Sequence, residues 1–368
     1  MPNRINLIRL EYLNDTQMTK LSLKQQKILA LFLKQGVLSS SDIHAELGKT
    51  DEKISLVTIK RELSALAADN FLTVGGAGRA TNYTISAQGR IFADVSAHDY
   101  CAVEPDQRYG LNHYNFDLLP QWPTDIFTAA ELKTLEDATA EYQKRTSDLP
   151  IAIQTKELER LTIELSWKSS RIEGNTYTLL DTEKLILKNE TAVGHDSKET
   201  QMILNHKDAF KFVYENSAEF KTLTKQNLEK LHEILVKDLD VATNLRQRIV
   251  GVIGSIYQPL DNQFQILEAV EQLGKIIAKM SSPYTKAMTA LLGISYIQPF
   301  DDGNKRTGRL MANALLLAHQ RAPLSYRSVN ENDYREAILV FYELNSIIPF
   351  KKIFVEQYDF AARNYAVK

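Results

Sequence analysis

Cysteine is almost absent: Cys101 stands alone in 368 residues. That excludes an internal disulfide framework and makes a reduced, partly buried thiol the expectation for this side chain. No stretch of about twenty consecutive apolar residues occurs, the length a helix needs to cross a bilayer. The opening Met1-Pro2-Asn3-Arg4-Ile5-Asn6-Leu7 also lacks the apolar run of a secretory leader. These absences make the cytoplasm the expected compartment, with no membrane partner. An excess of one charge is missing too. The 44 basic residues nearly balance the 46 acidic ones, which argues against general polyanion binding and leaves only local asymmetry to be read. There is no internal repeat and no low-complexity run. What the chain does have is 44% hydrophobic residues, enough at this length for the cores of two or three domains, so a disordered chain is excluded.

Beyond an N-terminal extension (1–19), residues 20–91 read as three short helices and a hairpin. Leu23 to Leu33 is amphipathic. Ser40 to Gly48 offers an N-cap, a first-turn carboxylate and a terminal glycine, and Ser55 caps a third helix whose apolar side is Ile59, Leu63 and Leu66. Phe71–Val74 and Ala80–Ile85 then flank the glycine-rich Gly75-Gly76-Ala77-Gly78-Arg79 as strand, tip and strand. The arrangement resembles a winged helix-turn-helix domain. Between Lys20 and Arg90, ten basic residues face six acidic ones. Duplex DNA is one partner this suggests, through Thr58, Lys60 and Arg61 in a major groove and Arg79 at the wing tip. Docking of another protein is the other reading.

Residues 92–125 break the pattern with Pro105, Gly110, Pro120 and Pro123 and form a connector. Tyr109, Tyr114, Phe116, Leu118, Leu119 and Trp122 are too apolar for a solvated linker and are expected to pack on the helical domain C-terminal to them. From 126 to 368 helical patterns dominate, so the fold class is mainly α.

The most informative stretch is Gln298-Pro299-Phe300-Asp301-Asp302-Gly303-Asn304-Lys305-Arg306-Thr307-Gly308-Arg309. It reads as a phosphate cradle opening a helix. Backbone N–H groups of Gly303, Asn304 and Lys305 are expected unpaired at the helix start, a nest for anionic oxygens. Arg306 and Arg309, three apart, can fork onto phosphoryl oxygens, and Asp302 supplies a hard oxygen for magnesium.

This stretch resembles the motif of the Fic (Fido) proteins, His-Pro-Phe-x-Asp/Glu-Gly-Asn-Gly/Lys-Arg-x-x-Arg, at every defined position except the first, where Gln298 stands in place of histidine. The resemblance implies an all-helical Fic fold with a β-hairpin flap over 126–368, its core at about 222–350. It also implies ATP with Mg2+, and transfer of AMP to a Ser, Thr or Tyr hydroxyl of a target protein. Asp302 would hold the metal, Gly303, Asn304 and Lys305 the phosphates, and Arg306 and Arg309 the developing charge. The family's histidine takes the hydroxyl proton. An amide has no titratable nitrogen near neutral pH, and losing a positioned base typically costs roughly a hundred- to ten-thousand-fold in rate. Gln298 can still orient a hydroxyl by hydrogen bonding.

A long helix at about 151–175 ends in Ser169-Ser170-Arg171-Ile172-Glu173-Gly174-Asn175, which resembles the family's inhibitory motif. The resemblance assigns Ser169, Glu173 and Gly174 to it, with Glu173 paired to Arg309 and autoinhibition as the outcome. A carboxylate at a helix C-terminus faces the unfavourable end of the dipole, which a cation partner would offset. Arg246 to Gln258 is a β-branched island expected to be the flap, with Ile249, Val250, Gly251 and Val252 adding a target backbone as an edge strand. A hairpin that merely covers a bundle edge is the other reading. Lys305 occupies a position that is glycine in most adenylylating members and lysine in a phosphate-transferring branch, so Doc-like phosphotransfer stands beside adenylylation. An ATP-binding transcriptional regulator with a degenerate Fic domain is the third alternative, and a homodimer is left open. His44, His98, His113, His195, His206, His232 and His319 show no metal spacing and no triad, and His319 lies about three helical turns beyond Arg309.

Overall fold

A computed structural model describes residues 21–49 and 54–367. The expected extension at 1–19, with Lys20, Asp51, Glu52 and Lys53 from the charge count, lies outside them.

The first elements run α1 (Leu23–Gln35), β1 (Val37–Leu38), α2 (Ser40–Lys49), α3 (Leu56–Ala68), β2 (Leu72–Gly75) and β3 (Asn82–Ile85). The strands form an antiparallel sheet of order β1-β3-β2, with Leu72 opposite Ile85 and Val37 opposite Thr84. Each helix starts where a short polar side chain can accept a first-turn amide. Ser22 and Gln25 make a reciprocal capping box, and Ser55 Oγ accepts the Thr58 N–H at 3.2 Å. Two local expectations shift. The cap of α2 is Ser39, which exchanges bonds with Asp42, and Gly48 lies inside the helix instead of ending it. Strand β1 is an addition: two residues after Gly36 are too short for a periodic signal. Ile28, Phe32, Ile43, Ile59 and Leu63, fully buried, are the core under the sheet.

α4 (Ala87–Ile91) and α5 (Ala97–Cys101) lead into an irregular segment in which Phe116, expected to pack, stands exposed. Leu118, Leu119 and Trp122 are buried. The Trp122 indole donates to Thr289 Oγ1 at 3.0 Å, and its ring meets Phe341 edge-on at 5.9 Å. Cys101 is half-buried, and burial pushes its thiol up to about 11, so it stays protonated at neutral pH.

The rest is helical: α6 (Ala129–Thr146), α7 (Ile151–Ile172), α8 (Leu179–Lys188), α9 (Ser197–Glu215), α10 (Lys225–Leu235), α11 (Gln263–Lys279), α12 (Pro283–Ile297), α13 (Asn304–Ala318), α14 (Glu331–Leu344) and α15 (Ile348–Asn364). Helix α12 is buried at every position from Tyr284 to Ile297, as an all-round apolar helix must be. Helix α13 packs along it, α10 and α11 flank the pair, and α7 and α14 close the far side. No helix among the described residues is long and apolar enough to cross a membrane.

The expected hairpin at 246–258 is not formed: the segment carries no strand among the described residues. Strand propensity reflects packing against a neighbouring strand, and none lies beside it. Ile249 and Ile253 stand exposed, Gly254 takes φ +76°, and the segment makes one isolated bridge, Gln258 to His113 of the connector.

Truncating the connector's anchor, Trp122→Ala, should cost about 3–5 kcal/mol, the usual range for emptying a buried aromatic site. Urea denaturation checks this; a loss under about 1 kcal/mol would mean that the connector does not share the helical core.

Candidate functional site

The motif is the turn between the two most intimately packed helices. Gln298 ends α12 in the left-handed region (φ 50°, ψ 60°), and Gly303 opens α13 at φ 78°. The first backbone bond of α13 runs from Thr307 N–H to Gly303 O at 2.9 Å. The amides of Asn304, Lys305 and Arg306 therefore have no acceptor within their own helix. The loop is braced from inside: Asn304 Oδ1 accepts the Phe300 N–H, and its amide donates to Phe300 O, both at 2.8 Å. Behind it His232 stacks on Phe300, ring centroids 3.6 Å apart. Its nitrogens are engaged by Ala242 O and Thr307 Oγ1. Burial lowers its pKa to about 4, so it is neutral at physiological pH.

Gln298 is tied into this bracing. Its Oε1 accepts from Asn304 Nδ2 at 2.9 Å, and its Nε2 donates to Ser295 O at 2.6 Å and Tyr342 Oη at 3.3 Å. None of these neighbours is a base at neutral pH; burial and the Glu173 charge hold the Tyr342 hydroxyl in its neutral form.

The end of α7 arrives from across the molecule. Gly174 N–H bonds Arg171 O and Asn175 N–H bonds Ser170 O, a Schellman turn that needs the positive φ of Gly174, here 98°. This turn leaves Glu173 as the C-cap, aimed at α13. Arg309, fully buried, donates through Nη1 to Glu173 Oε1 at 2.8 Å, through Nε to Ser169 Oγ at 2.9 Å and through Nη2 to Ser169 O at 2.8 Å. The guanidinium thus serves a carboxylate and one of the orphan carbonyls at the negative end of α7. Arg335 Nε takes another, Ile172 O, at 2.8 Å.

Lys305 behaves differently from expectation. Its Nζ lies 2.9 Å from Glu173 Oε2. Lys305 and Arg309, four apart on one face of α13, hold the two oxygens of one carboxylate. Burial by itself would raise the Glu173 pKa; the Arg309 and Lys305 charges overcome it and bring it down to about 2. Nor do the two motif arginines share a partner. Arg306 pairs with Asp302 at 3.0 Å, and its Nη1 is buried without a partner among the described residues.

Asp302 is largely exposed and uses one oxygen on Arg306, leaving hard oxygen available to a cation. Unpaired helix-start amides, a buried cationic donor without an acceptor and an adjacent exposed carboxylate are the donor set that a magnesium-bound polyphosphate requires. Among the described residues no cluster of three or more His, Cys, Asp or Glu could hold a metal on protein ligands alone. His206, fully buried, has neither ring nitrogen paired among the described residues, and burial with the Arg309 and Arg306 charges keeps it neutral.

Residues 249–252 stand beside the motif on a loop, not a strand. Arg246 pins the start of this loop: its N–H donates to Pro299 O at 2.9 Å, its Nε to Gln298 O at 2.6 Å and its Nη2 to Leu260 O. Sequence reading missed Arg246, Tyr342 and Glu343. Their roles arise from contacts between segments far apart in the chain, with no local signature.

Residues 222–316 match the Fic/DOC family. Over 174 residues the chain is 26% identical to the protein adenylyltransferase Fic of Nematostella vectensis, an alignment covering 46% of this chain and 41% of that protein. It is 26% identical over 216 residues to the protein of that name from Aedes aegypti, covering 57% and 42%. The chain thus spans less than half the length of these curated relatives. Fic-1 (residues 134–508) of C. elegans superimposes with a TM-score of 0.57 at 17% identity, covering 64% of this chain and 72% of that one. A Fic family protein from Desulfovibrio desulfuricans G20 does so with a TM-score of 0.54 at 22% identity, covering 66% and 75%.

The depressed Glu173 pKa has a defined sign. The unfolded carboxyl, near 4.5, takes up a proton that the folded one, near 2, refuses. The contact's contribution is therefore complete above pH 4.5 and is lost as pH falls towards 2. Glu173→Gln should lower stability by roughly 3 kcal/mol at about pH 7, and by less than half of that at about pH 3. Urea midpoints at the two pH values measure it; an equal deficit at both would show that the contact is not ionic.

Proposed function

We propose, on the premise that residues 222–316 are a Fic/DOC-family domain carried on the Fic fold, that this chain binds ATP at the loop between α12 and α13 for protein adenylylation. In this reading Glu173 restrains it, and Gln298 leaves it without the base. One observation carries the proposal. The loop whose first three helix amides have no acceptor within their helix, and whose Arg306 Nη1 is buried without a partner among the described residues, has its other arginine held by the Glu173 carboxylate, an anion standing where a phosphate would find its cation.

In adenylyl transfer the target hydroxyl oxygen bonds to the α-phosphorus, the α–β bridging bond breaks and pyrophosphate leaves. Magnesium, when bound, neutralises phosphate charge, and Asp302 is the residue to hold it. Asn304 shapes the loop whose amides meet the phosphates. Arg306, and Arg309 once released, stabilise charge on the polyphosphate. The hydroxyl proton needs an acceptor at position 298. Gln298 has none to offer, and its neighbours Ser295 O, Asn304 and neutral Tyr342 do not replace it. Histidine tolerates a positive φ better than most residues, so the α12 turn suits the family's residue. Lys305 spends its charge on Glu173 in the restrained state, which favours AMP over phosphate transfer: the restraint it strengthens acts on Arg309, the clamp of the adenylylating reading.

The experiment is a variant series assayed with ATP labelled in the α-phosphate. Gln298→His should raise transfer by about two to four orders of magnitude. Adding Glu173→Gly should raise it further, and adding Arg309→Ala should abolish the gain. Equal labelling before and after restoring the histidine would remove residue 298 as the base. A mass gain of phosphate alone would establish Doc-like transfer. ATP binding without any labelling would establish a nucleotide-sensing module.

A second function is proposed for the N-terminal unit, which we read as a winged helix that contacts duplex DNA. The observation favouring it is the outer face of α3, where Lys60 and Arg61 stand exposed among the small residues Ser64, Ala65 and Ala68, with Arg79 exposed at the β2–β3 tip. Thr58 is half-buried, and its hydroxyl contacts Ser55 at the helix cap. Full-length chain should bind a mixed-sequence duplex with affinity that falls steeply with salt. The combined Lys60→Ala, Arg61→Ala and Arg79→Ala substitution should reduce the log–log slope by up to about three. Absence of binding at low salt, or binding that ignores the substitutions, would assign this face to a protein partner.

A further inference from the structure

Helix α14 ends in a run of residues that each touch a different part of the molecule. Tyr342 meets Gln298. Asn345 Oδ1 accepts from Asn115 of the connector at 2.9 Å. Ser346 Oγ donates to Ala93 O at 2.6 Å, and Ile347 N–H donates to Ile91 O at 3.0 Å, both at the base of the N-terminal unit. Between them lies Glu343, a carboxylate with no solvent exposure. Its Oε2 accepts from Tyr100 Oη at 2.6 Å. Its Oε1 accepts from Ser255 Oγ at 2.6 Å and Arg108 Nη1 at 3.3 Å. Arg108 Nη1 also donates to Gly254 O at 3.0 Å. Gly110 lets the chain pass this close: at φ 149°, a Cβ there would lie 2.6 Å from Glu343 O.

A buried charge is retained only with partners that repay its desolvation. Here those partners come from the connector and from the far end of the loop beside the motif. The near end of that loop is pinned by Arg246 to the motif itself. Between the two pins Ile249, Gly251 and Ile253 are exposed while Val250 and Val252 are half-buried, and no strand among the described residues supports the segment. We propose that Glu343 is a positioning residue: through Ser255 and Arg108 it holds the far end of the loop at 249–254, whose near end Arg246 ties to Gln298 O, and it makes the order of that loop depend on the connector that joins the N-terminal unit. The proposal rests on the transferase reading only for what the loop would dock, a backbone segment of the target.

The test is hydrogen exchange by mass spectrometry on the full chain without nucleotide. Ser255→Ala removes the loop's bond to the carboxylate together with the hydroxyl that accepts the Tyr257 N–H, and Glu343→Gln removes the charge alone. Amides in peptides spanning 249–256 should exchange about tenfold faster or more in both variants, the scale of losing a hydrogen bond to a charged group. Peptides from α13 should be unchanged, and Ser255→Thr, which keeps the hydroxyl, should restore protection. Unchanged exchange in Ser255→Ala, or acceleration spread evenly over the molecule, would overturn the proposal. No transfer assay enters, so failure here leaves the transferase reading standing, and failure of that reading leaves this result intact.

Discussion

The site is organised by a carboxylate caught between two cations of one helix. Lys305 and Arg309 take the two oxygens of Glu173, and the arrangement near the motif is dictated by the need to satisfy a fully buried guanidinium. A lone arginine in that position would be a large desolvation cost. Glu173, Ser169 Oγ and the Ser169 carbonyl together engage each of its three nitrogens, and the negative end of α7 adds a favourable field. The consequence is geometric as well as electrostatic. The end of α7 is locked to the start of α13, and Arg335 and Glu331 of α14 hold it from the other side. In the proposed reading, a nucleotide that claims Arg309 must replace this carboxylate with a phosphate of comparable geometry, so binding and release of the α7 end are one equilibrium.

In the proposed reading, Gln298 keeps the shape of the site without supplying its proton acceptor. An amide both donates and accepts, so it bridges Ser295 O, Tyr342 Oη and Asn304 Nδ2 at once. That bridging keeps Asn304 turned onto Phe300 and the amide nest open. Orientation survives where proton transfer does not, because orientation needs only dipoles and the proton needs a basic nitrogen.

The N-terminal unit is not an appendage. Its last helix, the connector and the loop beside the motif all meet the final residues of α14, and one hydrophobic core runs from α1 to α15. Burying Glu343 at that junction ties the connector and the loop to a single charge. Any change in the seat of one segment is felt as lost solvation of that charge by the other, a stiffer coupling than apolar contacts of similar area provide.

Local chemistry was legible from the residues alone. The cap at Ser55, the glycine that ends α7 and the motif between α12 and α13 each depend on groups within a few positions of one another. Short-range sterics and helix-end hydrogen bonds decide them. The family match at residues 222–316 also rests on a contiguous stretch. What the tertiary structure decided lies between distant segments. It made the Lys305 side chain a second grip on Glu173, across 132 positions, paired Arg306 with Asp302, and left 246–258 as a pinned loop with no strand among the described residues. It also buried Glu343 among Tyr100, Arg108 and Ser255. Residue type and spacing determine what a side chain can do; desolvation and the partners that packing supplies determine which of those options it takes.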